Sequence, residues 1–382
     1  MDSIESETEA VQLLVNLDGI QHAREGHNQE EWKRFYSETV VTETRRAHRR
    51  ALALASRVER HNAATAGTTA DHVSLFWGIA LLMWPKFDDR AFRSKFGTSV
   101  EVFARLWERY GHELFEKDVL PCDILMTFHY LTSNDTFDAI SMDWVCARST
   151  CHSVINKTLS YLYELLDEVS WQKRPWHQQE EIIPGPGHML ENVTFILDGT
   201  ECRIAKPVDR VEDYAWFSPK HSMHAVKYEV AVSLSTGRIM WIAGGIPAAY
   251  HDSTLIRSSG LLQSIPEGER GIADAGYLGV DSRILTILRT QQEDEVVGFT
   301  ADEWLYNRSV ASLRIEVERV NGRLKRFQAL VFSRIRNRYD HARIFHVLAN
   351  FVNIWMEVEP MRVNRHPILE ECPFSIPERA RR

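Results

Sequence analysis

The sequence lacks the long apolar run that a membrane span requires. Its richest apolar stretch, Leu75 to Trp84, is half as long as the roughly 20 residues that cross a bilayer. The first residues, MDSIESETEA, are acidic and polar, unlike a secretory signal or an Arg-rich transit peptide. We therefore expect no membrane partner.

Cysteine is scarce, and the five cysteines are scattered and odd in number. They are Cys122, Cys146, Cys151, Cys202 and Cys372. Because none belongs to a Cys-x-x-Cys pair, neither a zinc site nor a disulfide framework is predicted. A reducing compartment, cytosol or nucleus, fits this usage.

Several catalytic motifs are also missing. The His- and Asp-rich positions at 221–224 and 251–252 lack HExxH or another zinc spacing, and no Gly-rich phosphate loop occurs. A Gly-x-Ser-x-Gly nucleophile elbow is absent as well. These absences argue against zinc-dependent proteolysis, nucleotide binding by a phosphate loop and serine-hydrolase chemistry.

The chain has 382 residues and a formal net charge of −8. This length predicts two domains and a tail rather than one core. The net charge argues only weakly against a nucleic-acid partner, because phosphate affinity depends on where the cations lie. They cluster at Arg45, Arg46, Arg49 and Arg50, and again between Arg314 and Arg343. Such blocks are often solvated helix faces, so they leave the partner undecided.

Changes of pattern divide the chain into five segments. A polar helical segment covers 1–71 and ends in the small-residue stretch NAATAGTTAD, and a helical region covers 72–170. A Pro- and Gly-rich linker covers 171–190. A domain with strand periodicity covers 191–355, and a tail covers 356–382.

Three short helices are predicted at the end of the helical region, over about 121–132, 136–145 and 150–167. The third follows Ser149 and Thr150, which are good N-cap residues. Its first turns present polar side chains outward, namely His152, Ser153, Asn156 and Lys157. A helix-turn-helix offers such residues to DNA. A small bundle with an ordinary polar face explains the pattern equally well, and the sequence leaves both interpretations open.

The later segment changes from helical to strand periodicity. A short apolar run at 193–197 precedes Asp-Gly, residues 224–234 alternate, and 239–243 follows a turn at 235–238. A helix should begin near 252, a strand covers 271–274, and Leu313, Val317, Val320, Leu324 and Phe327 mark an amphipathic helix. This order predicts an α+β fold: an RNase H-like catalytic domain, a mixed sheet flanked by helices, preceded by an all-α, helix-turn-helix-like region.

Acidic residues occupy distinctive positions in this order. Asp198 is predicted to end the first strand and Asp274 to end the strand Gly-Ile-Ala-Asp. Glu318, next to Val317, is predicted at the edge of the apolar stripe rather than in open solvent. Converging carboxylates repel one another unless a divalent cation binds, and hard oxygen ligands suit Mg²⁺ or Mn²⁺. Two such ions can promote in-line phosphoryl displacement.

Cations share the helix face of Glu318. Arg314, Glu318 and Lys325 fall within about 40–60° of one another at 100° per residue, which favours Glu318 over the neighbouring Glu316. Taken alone, these residues are also ordinary surface pairs. Asp252 has two open interpretations, a fourth metal ligand or a helix N-cap.

In these stretches the sequence resembles the PIF/Harbinger group of DDE transposases and the Harbinger transposase-derived nucleases. The resemblance lies in LDGTE (197–201), SPKHSMHAVKYEVAV (218–232), GRIMWIAGG (237–245), HDSTLIRSSGL (251–261), ADAGYLG (273–279) and LRIEVERVNGRLKRFQAL (313–330). It covers about 190–355 in the same order and is looser before that.

The resemblance implies roles for individual residues. Asp198, Asp274 and Glu318 match the catalytic carboxylates, and Asp252 matches a further metal ligand of some members. Arg314, Glu318 and Lys325 also match the R-x3-E-x6-K helix signature of insertion-sequence transposases. The tyrosine that precedes this signature is replaced by Ala311. With Arg319 and Arg323, the cations of this helix are candidate phosphate or DNA contacts.

The implied function is metal-dependent cleavage of DNA at transposon ends and joining to target DNA. Family members often work with a separate Myb/SANT-like DNA-binding partner, which is needed for nuclear import, so the nucleus is the expected location and the cytoplasm the expected one without that partner. A homo-oligomer is a further expectation. Two alternatives stay open: a domesticated derivative that binds DNA or protein without cutting, and a structure-selective nuclease outside transposition.

Overall fold

The structure is a computed structural model that describes residues 68–84, 87–173, 190, 192–208, 210–288, 299–332 and 338–361. Several predictions lie outside these residues. They are the predicted N-terminal segment up to residue 67 with its arginine block, most of the 171–190 linker, Cys372 and the tail from residue 362.

Six helices form the first part of the described chain. They are α1 (Thr69–Met83), α2 (Asp89–Phe96), α3 (Val100–Glu116), α4 (Pro121–Thr132), α5 (Phe137–Asp143) and α6 (Arg148–Leu165). A capping box between Thr68 and Asp71 starts α1, and the Asp88 carboxylate accepts from the Ala91 N–H at the start of α2. The three predicted helices are therefore present, but the predicted caps of the third are wrong. Ala147 is the N-cap of α6, so Ser149 and Thr150 lie inside the helix.

A mixed sheet follows in the order β4-β3-β1-β5-β6, and β2 pairs with the beginning of β3. Its strands are β1 (Val193–Arg203), β2 (Phe217–Ser218), β3 (Met223–Ser233), β4 (Ile239–Pro247), β5 (Arg270–Ala273) and β6 (Ile284–Thr286). β3 is antiparallel to both β1 and β4, whereas β5 is parallel to β1 and to β6.

Five helices accompany the sheet. They are α7 (Arg210–Trp216), α8 (Asp252–Ser259), α9 (Leu261–Ser264), α10 (Ala301–Leu324) and α11 (Arg338–Val358). On one face of the sheet, Tyr228 and Val230 share a core with the α10 residues Val317 and Val320. On the other face, Phe195 and its neighbours pack with residues of α8 and α9. The sheet is thus covered on both sides.

Helix α11 joins the first six helices to the sheet. It packs on α3, α6 and β4. The Asn350 side-chain oxygen accepts from the N–H groups of Glu168 and Val169 at 2.6 and 2.8 Å. Asn353 accepts from the Ile239 N–H at 2.8 Å and donates to the Glu168 carbonyl at 2.8 Å. Because an unpaired buried amide costs about 1–3 kcal/mol, these bonds fix the helices on the sheet. One buried core therefore extends across the predicted domain boundary.

The predicted mixed sheet flanked by helices is therefore present. The described part of the chain has no helix long and apolar enough to cross a membrane.

Candidate active site

Two aspartates lie at the same level on neighbouring parallel strands. The register pairs Ile196 of β1 with Ile272 of β5, and each aspartate follows two residues later. Because side chains alternate between faces with a period of two, Asp198 and Asp274 share one side of the sheet. Asp274 directly follows β5, which ends at Ala273, one residue earlier than predicted. The prediction that Asp198 ends its strand is wrong, because β1 continues through Arg203 by pairing with β3 beyond the last residue of β5.

A third carboxylate reaches the aspartates from α8. Asp252 is the first residue of this helix, and His251 is the N-cap residue, without a side-chain capping bond. The capping interpretation of Asp252 is therefore wrong. A Cβ placed on Gly199 would lie 2.7 Å from Asp252 Oδ1, and one placed on Gly276 would lie 2.7 Å from Asp252 Oδ2 and 2.9 Å from Asp274 Oδ1. The two glycines thus leave the space into which the Asp252 carboxylate extends.

A buried lysine holds Asp252 in this position. The Lys227 side chain on β3 is 8% exposed. Its ammonium lies 3.1 Å from Asp252 Oδ1 and 3.7 Å from Glu201 Oε1, and it donates to the Tyr250 carbonyl at 2.6 Å. An unpaired buried ammonium is strongly unfavourable. The ammonium charge of Lys227 therefore offsets the negative charges of Asp252 and Glu201, and these carboxylates stabilise the buried ammonium.

Helix α10 supplies two contacts to Asp198 from the other side. Asn321 donates to Asp198 Oδ2 at 3.0 Å, and Arg314 Nη2 lies 3.8 Å from Asp198 Oδ1. Glu318 stands between them along the same helix face, one turn from each. The prediction that Glu318 avoids open solvent is wrong, because its side chain is exposed. Glu316 instead is buried and pairs with Arg319 at 2.8 Å.

The electrostatics of Asp198 reflect this crowding. The pKa of Asp198 is raised to about 6, mainly by burial; the nearby carboxylates of Asp274 and Asp252 contribute to the rise, whereas Arg314 and Lys220 oppose it. Desolvation and like charges both disfavour the ionised form of an acid. Without an added cation, ionisation of all three aspartates is therefore unfavourable at this site.

Acidic and phenolic groups also lie behind the three aspartates. Glu229 on β3 is fully buried, and burial raises its pKa to about 7, with Asp252 adding to the rise. Tyr277 is also fully buried, and burial raises its pKa well above the usual range. Its hydroxyl would be 3.5 Å from a Cβ on Gly199. Both buried groups are close enough to Asp252 to interact with its charge.

The donor chemistry of the site fits a hard divalent cation, since Asp198, Asp252 and Asp274 offer carboxylate oxygens. Within the described residues, however, no group of three or more His, Cys, Asp or Glu side chains has an arrangement that could hold a metal ion. Lys227, Arg314 and Asn321 occupy positions around the carboxylates instead. The residue types therefore suit Mg²⁺ or Mn²⁺. In this structure, however, the carboxylates of Asp252 and Asp198 contact the side chains of Lys227, Arg314 and Asn321.

The other α10 residues predicted to contact phosphate or DNA have different surroundings. Lys325 is the exposed C-cap residue of the helix. Arg319 pairs with Glu316, and Arg323 donates to the Glu359 carbonyl at 2.8 Å. At 100° per residue, Arg319 and Arg323 lie on a different side of the helix from Arg314. The structure thus groups only Arg314 directly with Asp198.

The predicted recognition residues lie at the beginning of α6. His152 and Ser153 are exposed, whereas Asn156 and Lys157 are half-buried. Asn156 donates to the His152 carbonyl at 2.9 Å, and Lys157 donates to the Asp118 carbonyl at 2.8 Å. DNA reading by these four residues stays a prediction.

Sequence reasoning missed Lys227, Asn321 and the role of the two glycines. One signal was present for Lys227: it and Glu229 alternate with the apolar residues of β3, in a strand that is buried on both faces. Charged residues are rarely buried unless they are paired. Asn321 gave no comparable signal, because a polar residue on an amphipathic helix is ordinary.

Comparison with known proteins places these residues in context. Residues 197–353 match the family model described as DDE superfamily endonuclease. The chain is also 28% identical over 224 residues to the probable transposase for insertion sequence element IS702 of Microchaete diplosiphon, covering 58% of this chain and 75% of that protein. No solved structure matches the chain. The matched segment includes Asp198, Asp252, Asp274 and Glu318, and the similarity supports a nuclease or transposase role.

Proposed function

We propose that this chain is a divalent-metal-dependent DNA endonuclease of the transposase type, with Asp198, Asp274 and Glu318 as its catalytic carboxylates and Asp252 as a further metal ligand. The observation that carries the proposal is the convergence of Asp198, Asp252 and Asp274 from three separate elements onto one edge of the sheet. Such convergence is costly without a compensating role.

Each proposed residue has a distinct task. Asp198 and Asp274 hold the cations from rigid strand positions, and Asp252 approaches through the gap left by Gly199 and Gly276. Bound Mg²⁺ or Mn²⁺, in a two-ion site, would activate the attacking hydroxyl and stabilise the leaving oxygen. Arg314 and Lys325 neutralise phosphate oxygens of the DNA. Lys227 keeps Asp252 aimed into the site.

Glu318 is the proposed ligand that must move. It lies on the α10 face that already touches Asp198 through Arg314 and Asn321. Because its side chain is exposed, its torsions can change without displacing packed neighbours. We propose that DNA and cations bring it in.

The finer expectations follow from the resemblance to the Harbinger group. They are an RNase H-like fold, a helix-turn-helix-like DNA-binding region, strand joining after cleavage, a Myb/SANT-like partner protein, self-association and a nuclear location. Inverted repeats and a target duplication beside the encoding gene would support the transposase assignment.

A nicking assay tests the proposal. Supercoiled plasmid and terminal-repeat DNA are incubated with the full chain in Mg²⁺, Mn²⁺ or EDTA, with and without a SANT-type partner. Asp274→Asn is the matched control, because its side-chain oxygen can still accept the Gly276 N–H bond that Asp274 Oδ1 accepts at 2.8 Å. We expect cation-dependent nicking by the unmutated chain and none by the variant.

The outcome separates cleavage from the alternative without cleavage. If the unmutated chain binds DNA but leaves it intact under every condition, the chain is a binding factor and the endonuclease proposal fails. Equal nicking by Asp274→Asn would instead show that the activity belongs to another site or to a contaminant. Nicking confined to branched or gapped substrates would favour a structure-selective nuclease.

A further inference from the structure

Strands β1 and β3 continue past the aspartates of the proposed active site. β5 ends at Ala273, whereas β1 runs on after Asp198 to Arg203. β3 pairs with this extension as far as Ala225, and its first residues pair with β2. The turn from β2 to β3 covers 219–222 and lies at the end of this two-stranded ribbon. The ribbon therefore projects beyond the sheet edge that carries the aspartates.

The loop that leads to Asp252 packs against the segment before this hairpin. The Ala249 N–H donates to the Ala215 carbonyl of α7 at 3.1 Å. Tyr214 and Tyr250 are each one residue away from this bond, and Tyr250 is also two residues before Asp252. The bond therefore places two tyrosines on neighbouring segments beside the proposed metal ligand.

Aromatic side chains are exposed on these segments. Tyr214 is 83% exposed, Tyr250 is 50% exposed, and Phe217, the first residue of β2, is 39% exposed. Among the described residues, neither tyrosine ring packs on another aromatic ring. One exposed aromatic residue is ordinary, whereas several on adjoining segments indicate a binding surface.

A lysine adds positive charge to this surface. Lys220 lies in the turn between β2 and β3, is exposed, and has no ion-pair partner among the described residues. Its charge opposes the rise of the Asp198 pKa, so its ammonium lies near the aspartates. We call Tyr214, Phe217, Lys220 and Tyr250 the aromatic patch. Exposed rings beside an unpaired cation are the combination with which proteins bind unpaired nucleic acid.

We infer that the aromatic patch binds unpaired bases of the DNA strand beside the scissile phosphate. The inference rests on the proposed nuclease function and specifies its substrate as DNA that is locally single-stranded there. Bases of an intact duplex stack on one another, so a tyrosine ring reaches their faces only where pairing is lost. DNA is favoured over a protein partner because the strand must in any case reach the aspartates beside the patch. Lys220 contacts a phosphate of the same nucleotides.

Three DNA probes separate base stacking from phosphate contact. They are a labelled blunt duplex, the same duplex with a single-stranded thymidine extension, and the same duplex with an extension of abasic residues. The abasic extension keeps every phosphate but has no base to stack. Fluorescence anisotropy in EDTA, over a series of salt concentrations, measures binding by the full-length chain.

The variants remove one feature of the patch at a time. Tyr214→Ala and Tyr250→Ala each remove a ring, and Tyr214→Phe and Tyr250→Phe are matched controls that keep it. Because both side chains are exposed, the alanine variants should keep the Tm of the unmutated chain. Lys220→Gln removes only a charge.

We expect the unmutated chain to bind the thymidine extension about tenfold more tightly than the abasic extension, since stacking on aromatic rings stabilises each base. Each alanine variant should bind the thymidine probe roughly fivefold more weakly and the abasic probe equally well. The phenylalanine variants should bind like the unmutated chain. Lys220→Gln should weaken binding of both extended probes alike and lower the slope of log K against log salt by about 0.7.

Binding in EDTA separates this inference from the nuclease proposal. If the thymidine and abasic probes bind equally, or if both alanine variants keep full binding, the inference is wrong even if the chain cleaves DNA. If binding depends on the tyrosine rings but no cation supports cleavage, the nuclease proposal fails and the patch stands.

Two further outcomes overturn the inference. Alanine variants that change self-association in sedimentation but leave DNA binding intact would make the patch a contact between copies of the chain. Absence of any DNA binding by the unmutated chain overturns the patch and the nuclease proposal together.

Discussion

Gly199→Ala is expected to separate folding from cleavage in this protein. The added methyl would lie 2.7 Å from Asp252 Oδ1 and 3.2 Å from its carboxyl carbon. Because ordinary contact begins near 3.4 Å, the carboxylate must withdraw by roughly 0.7 Å. The substituted atom meets the end of a side chain rather than backbone, so the strand itself need not move.

The expected cost in stability is small. Alanine is favoured over glycine in a strand by roughly 0.5–1 kcal/mol, while turning Asp252 away from its rotamer costs about 0.5–1.5 kcal/mol. The two effects offset each other. We therefore expect the free energy of unfolding in EDTA to change by less than about 1 kcal/mol.

The expected cost in activity is large. A misplacement of about 1 Å at a reacting centre can lower a rate by about 100-fold, which is roughly 2.7 kcal/mol in the activation barrier. Turning Asp252 away also disturbs its 3.1 Å contact with Lys227. Single-turnover nicking in Mn²⁺ measures the rate, calorimetry measures Mn²⁺ affinity, and circular dichroism measures the Tm.

Gly78→Ala on α1 is the matched control, because a Cβ there meets nothing within 4 Å. It should leave nicking unchanged. If Gly199→Ala nicks DNA and binds Mn²⁺ like the unmutated chain, the Asp252 carboxylate takes no part in the site. If Gly199→Ala unfolds, the glycine serves the fold and the reasoning is also refuted.

Other substitutions test the remaining carboxylates and the buried lysine. Asp198→Asn should abolish nicking yet raise the Tm in EDTA at pH 7, because burial raises the Asp198 pKa to about 6. In the unmutated chain, ionisation of the buried acid lowers the free energy of unfolding progressively as pH rises from about 4 to 6, by at most about 3 kcal/mol. The Tm gain of Asp198→Asn should therefore vanish near pH 4. A Tm gain at pH 4 as large as at pH 7 would contradict this. Glu318→Gln should abolish nicking without changing the Tm, whereas Glu316→Gln, which disturbs a buried ion pair, should lower the Tm and keep nicking; the reverse pattern would make Glu316 the catalytic residue. Lys227→Met should destabilise the fold by roughly 3–5 kcal/mol, since it leaves Asp252 uncompensated, and added Mn²⁺ should restore more Tm than in the unmutated chain; a calorimetric scan with an unchanged Tm would exclude this role of Lys227.

Periodicity predicted much of the second half of the chain. The alternation at 224–234 predicted strand β3, which is in fact buried on both faces, and the stripe through Leu313, Val317, Val320 and Leu324 identified the buried face of α10. These patterns are local, because each strand or helix repeats its environment along its own axis.

Boundaries and exposure were predicted less well. The pattern stopped the first strand at Asp198 because its apolar run ends there, but pairing with β3 extends β1 to Arg203. The start of α6 was placed too late because capping preference outweighed the packing that begins the helix at Arg148. Glu318 lies next to a buried residue in sequence, yet its side chain remains in solvent.

The sequence alone determined the candidate carboxylates and the element on which each one lies, since residue type and period are local properties. Only the tertiary structure decided how they meet. The register of β1 and β5 brings Asp198 and Asp274 level, and the missing side chains of Gly199 and Gly276 admit Asp252. These relations join residues far apart in the chain, and they depend on which strands pair and how closely backbones approach. No local pattern contains that information.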